Sequence, residues 1–131
     1  MRAASTFDVL QSRKYLSLES FRTNGQGVRT PVWFAADLVG GTPPTLYVHS
    51  AADSGKAKRI RRNSQVRIAP CDSRGRLLGD WIDARAEITA GEEAGRGLRL
   101  LSKKYKLWMQ LVLLFSKLRR RGDVIFAIRP A

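Results

Sequence analysis

From Gly79 to Thr89 the chain alternates without a fault: Ile82, Ala84, Ala86 and Ile88 face one way, and Trp81, Asp83, Arg85 and Glu87 the other. A period of two with a single apolar face marks a strand lying on a core with its back to water. The same rhythm returns in Tyr15 to Thr23, Val28 to Asp37, Thr45 to Ala51, Val66 to Pro70 and Asp123 to Ile128. Turn residues separate these runs, among them Asn24-Gly25-Gln26-Gly27, Gly40-Gly41-Thr42-Pro43-Pro44 and Asp72 to Arg76. Six short strands joined this closely predict an antiparallel barrel, closed or split. Pro31 cannot donate to a ladder, so its strand is expected at an edge or with a bulge there.

Helical segments interrupt the rhythm. Asp53 or Ser54 caps a short basic helix running through Asn63, with Ile60 its one large apolar residue. Thr89-Ala90-Gly91-Glu92 matches a capping box, and Leu98, Leu101, Tyr105, Trp108, Val112 and Phe115 then step by three and four residues. A break is expected near Lys106. Leu111, Leu114 and Leu118 add a second stripe that a broad barrel contact or a partner subunit would cover, and Gly122 ends the helix. A short leading helix is expected over residues 5 to 13, capped by Ser5 or Thr6. The fold class is therefore mainly β with α: one domain, 1–131, holding a six-stranded antiparallel barrel, a short basic helix and a long C-terminal helical segment.

Charge narrows the partners. Lys and Arg number 24 against 11 Asp and Glu, a formal net charge of +13, which calls for an anion: nucleic acid, an acidic membrane surface or a phosphorylated small molecule. Lys56, Lys58, Arg59, Arg61, Arg62 and Arg67 concentrate that charge between two strands. Ser54-Gly55-Lys56 opens the helix there, so amides, hydroxyls of Ser50 and Ser54, and ammonium groups converge as on a phosphate. Aromatic residues that would stack on bases are absent from the stretch, which disfavours nucleic acid. The run from Leu107 to Phe115 is too short to span a bilayer, and association of Leu107 to Arg121 with a membrane surface is a weaker alternative.

Known catalytic signatures are absent. The chain contains no Walker loop, GxGxxG, HExxH or paired-cysteine motif. Cys71 and His49, one of each, suggest a reduced strand thiol and a strand-surface histidine rather than a nucleophile or a metal site. No catalytic residue is assigned and no metal is expected; chemistry, if present, belongs to a cofactor. The single cysteine and the lack of an export signal at the N-terminus fit the cytoplasm.

Thr30-Pro31-Val32-Trp33-Phe34, the strand Leu46 to Ala51, the basic segment Gly55 to Asn63 followed by Val66 to Cys71, and Gly79 to Asp83 together resemble the pyridoxamine 5'-phosphate oxidase-like flavin and deazaflavin oxidoreductases with a split β-barrel. The likeness runs over about residues 10 to 130 and points, within that superfamily, to the actinobacterial branch dependent on coenzyme F420. It implies a homodimer with the cofactor in a groove between subunits and a small organic hydride acceptor. It also implies that Lys56 and Lys58 hold the cofactor phosphate with help from Ser50 and Ser54. Thr30, Pro31, Val32 and Trp33 would line the ring system, and Trp81 would approach from the partner. Arg59, Arg61 and Arg62 suit the acidic tail of coenzyme F420, which favours it over FMN, the alternative cofactor. A cofactor carrier without turnover and a basic nucleic-acid-binding barrel are the rival functions.

Overall fold

A computed structural model describes residues 10, 13–39, 41, 43–106 and 122–131. Its strands are β1 (Tyr15–Phe21), β2 (Gly27–Trp33), β3 (Ala35–Asp37), β4 (Thr45–Ala51), β5 (Gln65–Cys71), β6 (Ile82–Ile88) and β7 (Asp123–Pro130). Helix α1 (Gly55–Arg62) joins β4 to β5, and helix α2 (Gly91–Tyr105) follows β6. All seven strands pair antiparallel in one sheet ordered β2-β1-β5-β6-β7-β4-β3.

The seventh strand corrects the expected six. Val28 to Asp37 is not one strand but two, β2 and β3, and these occupy opposite edges of the sheet although Phe34 alone separates them. Strands a single residue apart cannot lie at both edges of a flat seven-stranded sheet. The sheet must therefore curl until its edges meet, which makes a half-closed barrel with a seam at Phe34. The break falls at Phe34 rather than at Pro31 because a distant side chain captures the backbone there. The Phe34 N–H donates to the Tyr105 hydroxyl at 3.0 Å, and that hydroxyl lies 2.7 Å from the Phe34 carbonyl and 2.6 Å from that of Lys14. Pro31 sits opposite Ser17 on the edge strand β2, where its missing N–H disrupts nothing.

The barrel interior is filled by the alternating residues of each strand, including Leu16, Leu18, Val48, Ile68, Ala84, Ala86, Phe126 and Ile128, with Ala57 and Ile60 of α1 packed against them. On β6 the expected faces hold: Ile82, Ala84 and Ala86 are buried, and Asp83, Arg85 and Glu87 are exposed. A second cluster joins Tyr47, Ile125 and Ala127 on the outer sheet face to Leu101 and Tyr105 of α2. Gly97 lets the helix come this close, since a Cβ there would lie 2.8 Å from both Tyr47 and Ile125.

Two helix details differ from expectation. The capping box at α2 does not form: Ala90 is the N-cap without a side-chain bond, and the Thr89 hydroxyl instead donates to the Ile125 carbonyl at 2.8 Å, drawn away by β7. At the other end α2 stops at Tyr105, with Lys106 at φ 48°, where the break was expected. The apolar stripe beyond it, 107–121, and nearly all of the leading helix over 5–13 lie outside the described residues. Among the described residues no helix is long and apolar enough to cross a membrane.

Candidate functional site

Helix α1 begins where β4 ends, and its cap consumes the hydroxyls expected to meet a phosphate. Ser54 Oγ accepts from the Ala57 N–H at 3.1 Å and lies 2.8 Å from Ser50 Oγ. No acidic residue occupies the first turn, and Lys56 and Lys58 stand there against the helix dipole. Cations in that position cost about 0.3–1 kcal/mol, a cost that a bound anion removes. Arg59 folds back along the helix: its Nε donates to Ser20 Oγ at 2.7 Å, and its Nη1 is 2.8 Å from the place a Cβ on Gly55 would take. Burial, then repulsion from Arg22 and Arg62, holds the Arg59 guanidinium below the usual arginine value. Arg62 donates to the Phe21 carbonyl at 3.1 Å. The Arg59 guanidinium thus lies over the first turn of α1, in the space that the missing side chain of Gly55 leaves open.

A cavity of about 310 Å³ opens where the barrel fails to close. Pro31, Val32 and Trp33 of β2 form part of its wall, with His49 of β4, Lys56 of α1 and Leu101 of α2. Tyr15, the cross-strand partner of Trp33, completes it. Trp33 stacks on Tyr105 with centroids 4.7 Å apart and planes within 8°, so an indole held by α2 presents an immobile wall. Among the described residues no strand pairs with the outer edge of β2, and backbone donors and acceptors along such an edge can serve a ring lying in the seam.

The sequence-predicted residues divide cleanly. Lys56, Pro31, Val32 and Trp33 are brought together at the cavity. Thr30 pairs with Leu18 and does not line it; Lys58 is exposed on the helix; Ser50, Ser54 and Arg59 are engaged in the contacts described above. Trp81 also lies off this chain's cavity: the guanidiniums of Arg29 and Arg67 sit 4.7 and 5.0 Å from its ring, and both pair with the buried Glu19 beneath. Sequence reasoning missed Tyr15, His49 and Leu101. Tyr15 and His49 carry a signal in retrospect, since each occupies a strand position whose neighbour was already assigned to the site.

Other reactive groups have local explanations. Cys71 is buried, and burial together with Asp72 pushes its thiol up to about 11, which leaves it an inert strand thiol. Among the described residues no group of three or more His, Cys, Asp or Glu side chains could hold a metal ion. Lys104 lines a neighbouring cavity of about 350 Å³ with Trp33 and Tyr105; its Nζ donates to the Arg13 carbonyl at 2.7 Å and sits 3.7 Å from the Phe34 ring centroid. Burial lowers that amine to about 8.

No known protein-family profile matches the chain, and no curated protein matches it. Solved structures do. HutZ, the heme storage protein of Vibrio cholerae, superposes with a TM-score of 0.70 at 16% identity, covering 100% of this chain and 92% of its own. A Listeria innocua protein described as a candidate pyridoxamine 5'-phosphate oxidase gives 0.65 at 21% identity, covering 96% and 90%. The fold is a split β-barrel. A Bacteroides thetaiotaomicron protein described as a candidate 5-nitroimidazole antibiotic resistance protein shares that split barrel with a TM-score of 0.66 at 16% identity, covering 95% and 77%. At these identities the split-barrel fold is what carries over, and the neighbours' ligands do not follow from it.

Proposed function

We propose that the protein is a split-barrel oxidoreductase that holds a phosphate-bearing deazaflavin of the coenzyme F420 type in the seam cavity and reduces a small organic acceptor. The observation that supports this reading is the meeting of Lys56, at the start of a helix without acids in its first turn, with the β2 edge and the fixed indole of Trp33. The residues fit the group: a cation and a helix start for a phosphate, a rigid aromatic wall and an open strand edge for a planar ring. When bound, a reduced deazaflavin supplies a hydride.

The chain's own part is positional. Lys56 binds the phosphate, the β2 edge orients the ring through its backbone, and Val32 and Leu101 exclude water. FMN is the alternative occupant. Arg59 and Arg62, anchored to Ser20 and Phe21 at the end of β1, are cations beside α1 whose charge suits an acidic tail, and this supports the deazaflavin. The protein acts as a homodimer in this reading, with Trp81 of a second copy closing the cavity. Binding without turnover is the second reading; the likeness to a protein described as storing heme keeps it in view.

Titrating the purified protein with FMN and with coenzyme F420, and then following oxidation of the reduced complex by a panel of enones and nitro compounds, tests the proposal. Saturable binding with turnover supports it. Binding with no oxidation by any acceptor selects the carrier reading, and no binding of either cofactor rejects both.

A further inference from the structure

The neighbouring cavity of about 350 Å³ shares two walls with the seam cavity: Tyr15 and Trp33, cross-strand partners on β1 and β2, line both. Tyr105, Lys14 and Lys104 also line it. Three aromatic residues and two cations thus meet around one space, and among the described residues no acid lines it. The Lys104 ammonium lies over ring faces, with Nζ 3.7 Å from the Phe34 centroid and 5.4 Å from that of Tyr105, itself a wall of this cavity. One of its three hydrogens goes to the Arg13 carbonyl. Among the described residues no carboxylate pairs with it. Lys104 also borders a cavity between β3 and α2, but the acid there, Asp37, accepts from Nε and Nη2 of Arg96. A cation set among rings without a counter-ion is costly, and an anion beside it relieves that cost. Burial accordingly lowers the Lys104 amine to about 8.

We propose that this cavity is the acceptor subsite and that it selects a planar, conjugated acceptor carrying a carboxylate, which Lys104 and Lys14 bind. This deepens the oxidoreductase reading above and rests on it. Aromatic walls suit a flat unsaturated skeleton, and a carboxylate takes charge-assisted hydrogen bonds from ammonium groups. A molecule lying along the Tyr15–Trp33 pair has its carboxylate at the lysines and its conjugated end in the seam cavity. Lys104 and Lys14 set specificity and take no part in the chemistry. A neutral ester of the same skeleton is rejected because it leaves the Lys104 cation without a partner.

Calorimetric titration with 4-carboxybenzylideneacetone, an aryl enone bearing a carboxylate, and with its methyl ester tests the assignment on the purified protein, alone and in the presence of FMN or oxidised coenzyme F420. The acid should bind at least about tenfold more tightly than the ester. Lys104→Met should remove most of that preference while cofactor affinity stays within about threefold of wild type. Arg99→Met removes an exposed charge from α2 that lines neither cavity, and it should leave the preference unchanged. In wild type the preference should shrink as pH rises past about 8, where Lys104 loses its proton, and in Lys104→Met it should not. Equal affinities for acid and ester, a wild-type preference that holds at alkaline pH, or equal losses in Lys104→Met and Arg99→Met overturn the proposal and leave the oxidoreductase reading to its own cofactor titration. A protein that binds the acid selectively but neither cofactor overturns the acceptor role together with that reading.

Discussion

Lys104 carries a charge that the fold does not favour. Its amine is pushed down from 10.5 to about 8 by burial. Below about pH 8 both folded and unfolded states are protonated and the folded state bears the whole penalty. Between about 8 and 10.5 the unfolded chain binds more protons than the folded one, so this group makes stability rise with pH. Tyr47 and Cys71, raised to about 12 and about 11, act in the opposite direction at alkaline pH. A comparison with Lys104→Met cancels them. Urea unfolding should show wild type gaining on the variant as pH rises from about 7.5 to 10, and a constant difference would remove the buried charge as the cause. At this scale the sequence was partly legible. Lys56 was readable from its place at a helix start, but Lys58, two residues on, was not separable from it until the helix was rooted by Ala57 and Ile60.

Among the elements, the β2–β3 junction depends most on a single group. The hydroxyl of Tyr105 serves the buried Phe34 N–H while donating to the Lys14 or Phe34 carbonyl. Tyr105→Phe keeps the ring stacked on Trp33 but leaves that N–H without its acceptor. A loss of about 1–3 kcal/mol is expected in equilibrium unfolding, together with weaker cofactor binding as the seam loosens. Stability within about 0.5 kcal/mol of wild type would show that the junction holds by packing alone. The strand β6 was legible because one face meets the core and the other meets water, and that asymmetry is written at every second position. The division of Val28 to Asp37 was illegible because its cause lies in a residue 71 positions away. The α2 cap failed for a similar reason: Thr89 has a better partner on β7 than in its own helix.

For the whole molecule, the net charge of +13 makes any anion bind to some extent, and such binding is easily mistaken for a site. The split barrel supplies the distinction, because its seam is a place whereas the charge is spread. Lys56 lines the seam cavity, and Arg61 is exposed on the same helix. The overall architecture followed from strand rhythm, turn residues and length; the seam itself, which requires that two strands one residue apart lie at opposite sheet edges, followed only from the pairing. The most direct test is therefore charge-matched. Cofactor affinity is measured by fluorescence, with both FMN and coenzyme F420, for wild type, Lys56→Glu and Arg61→Glu at a fixed, near-physiological salt concentration. A seam site predicts that Lys56→Glu weakens binding at least tenfold, about 1.4 kcal/mol, while Arg61→Glu stays within about threefold of wild type. Equal losses in the two variants, or unchanged affinity in Lys56→Glu, would contradict it.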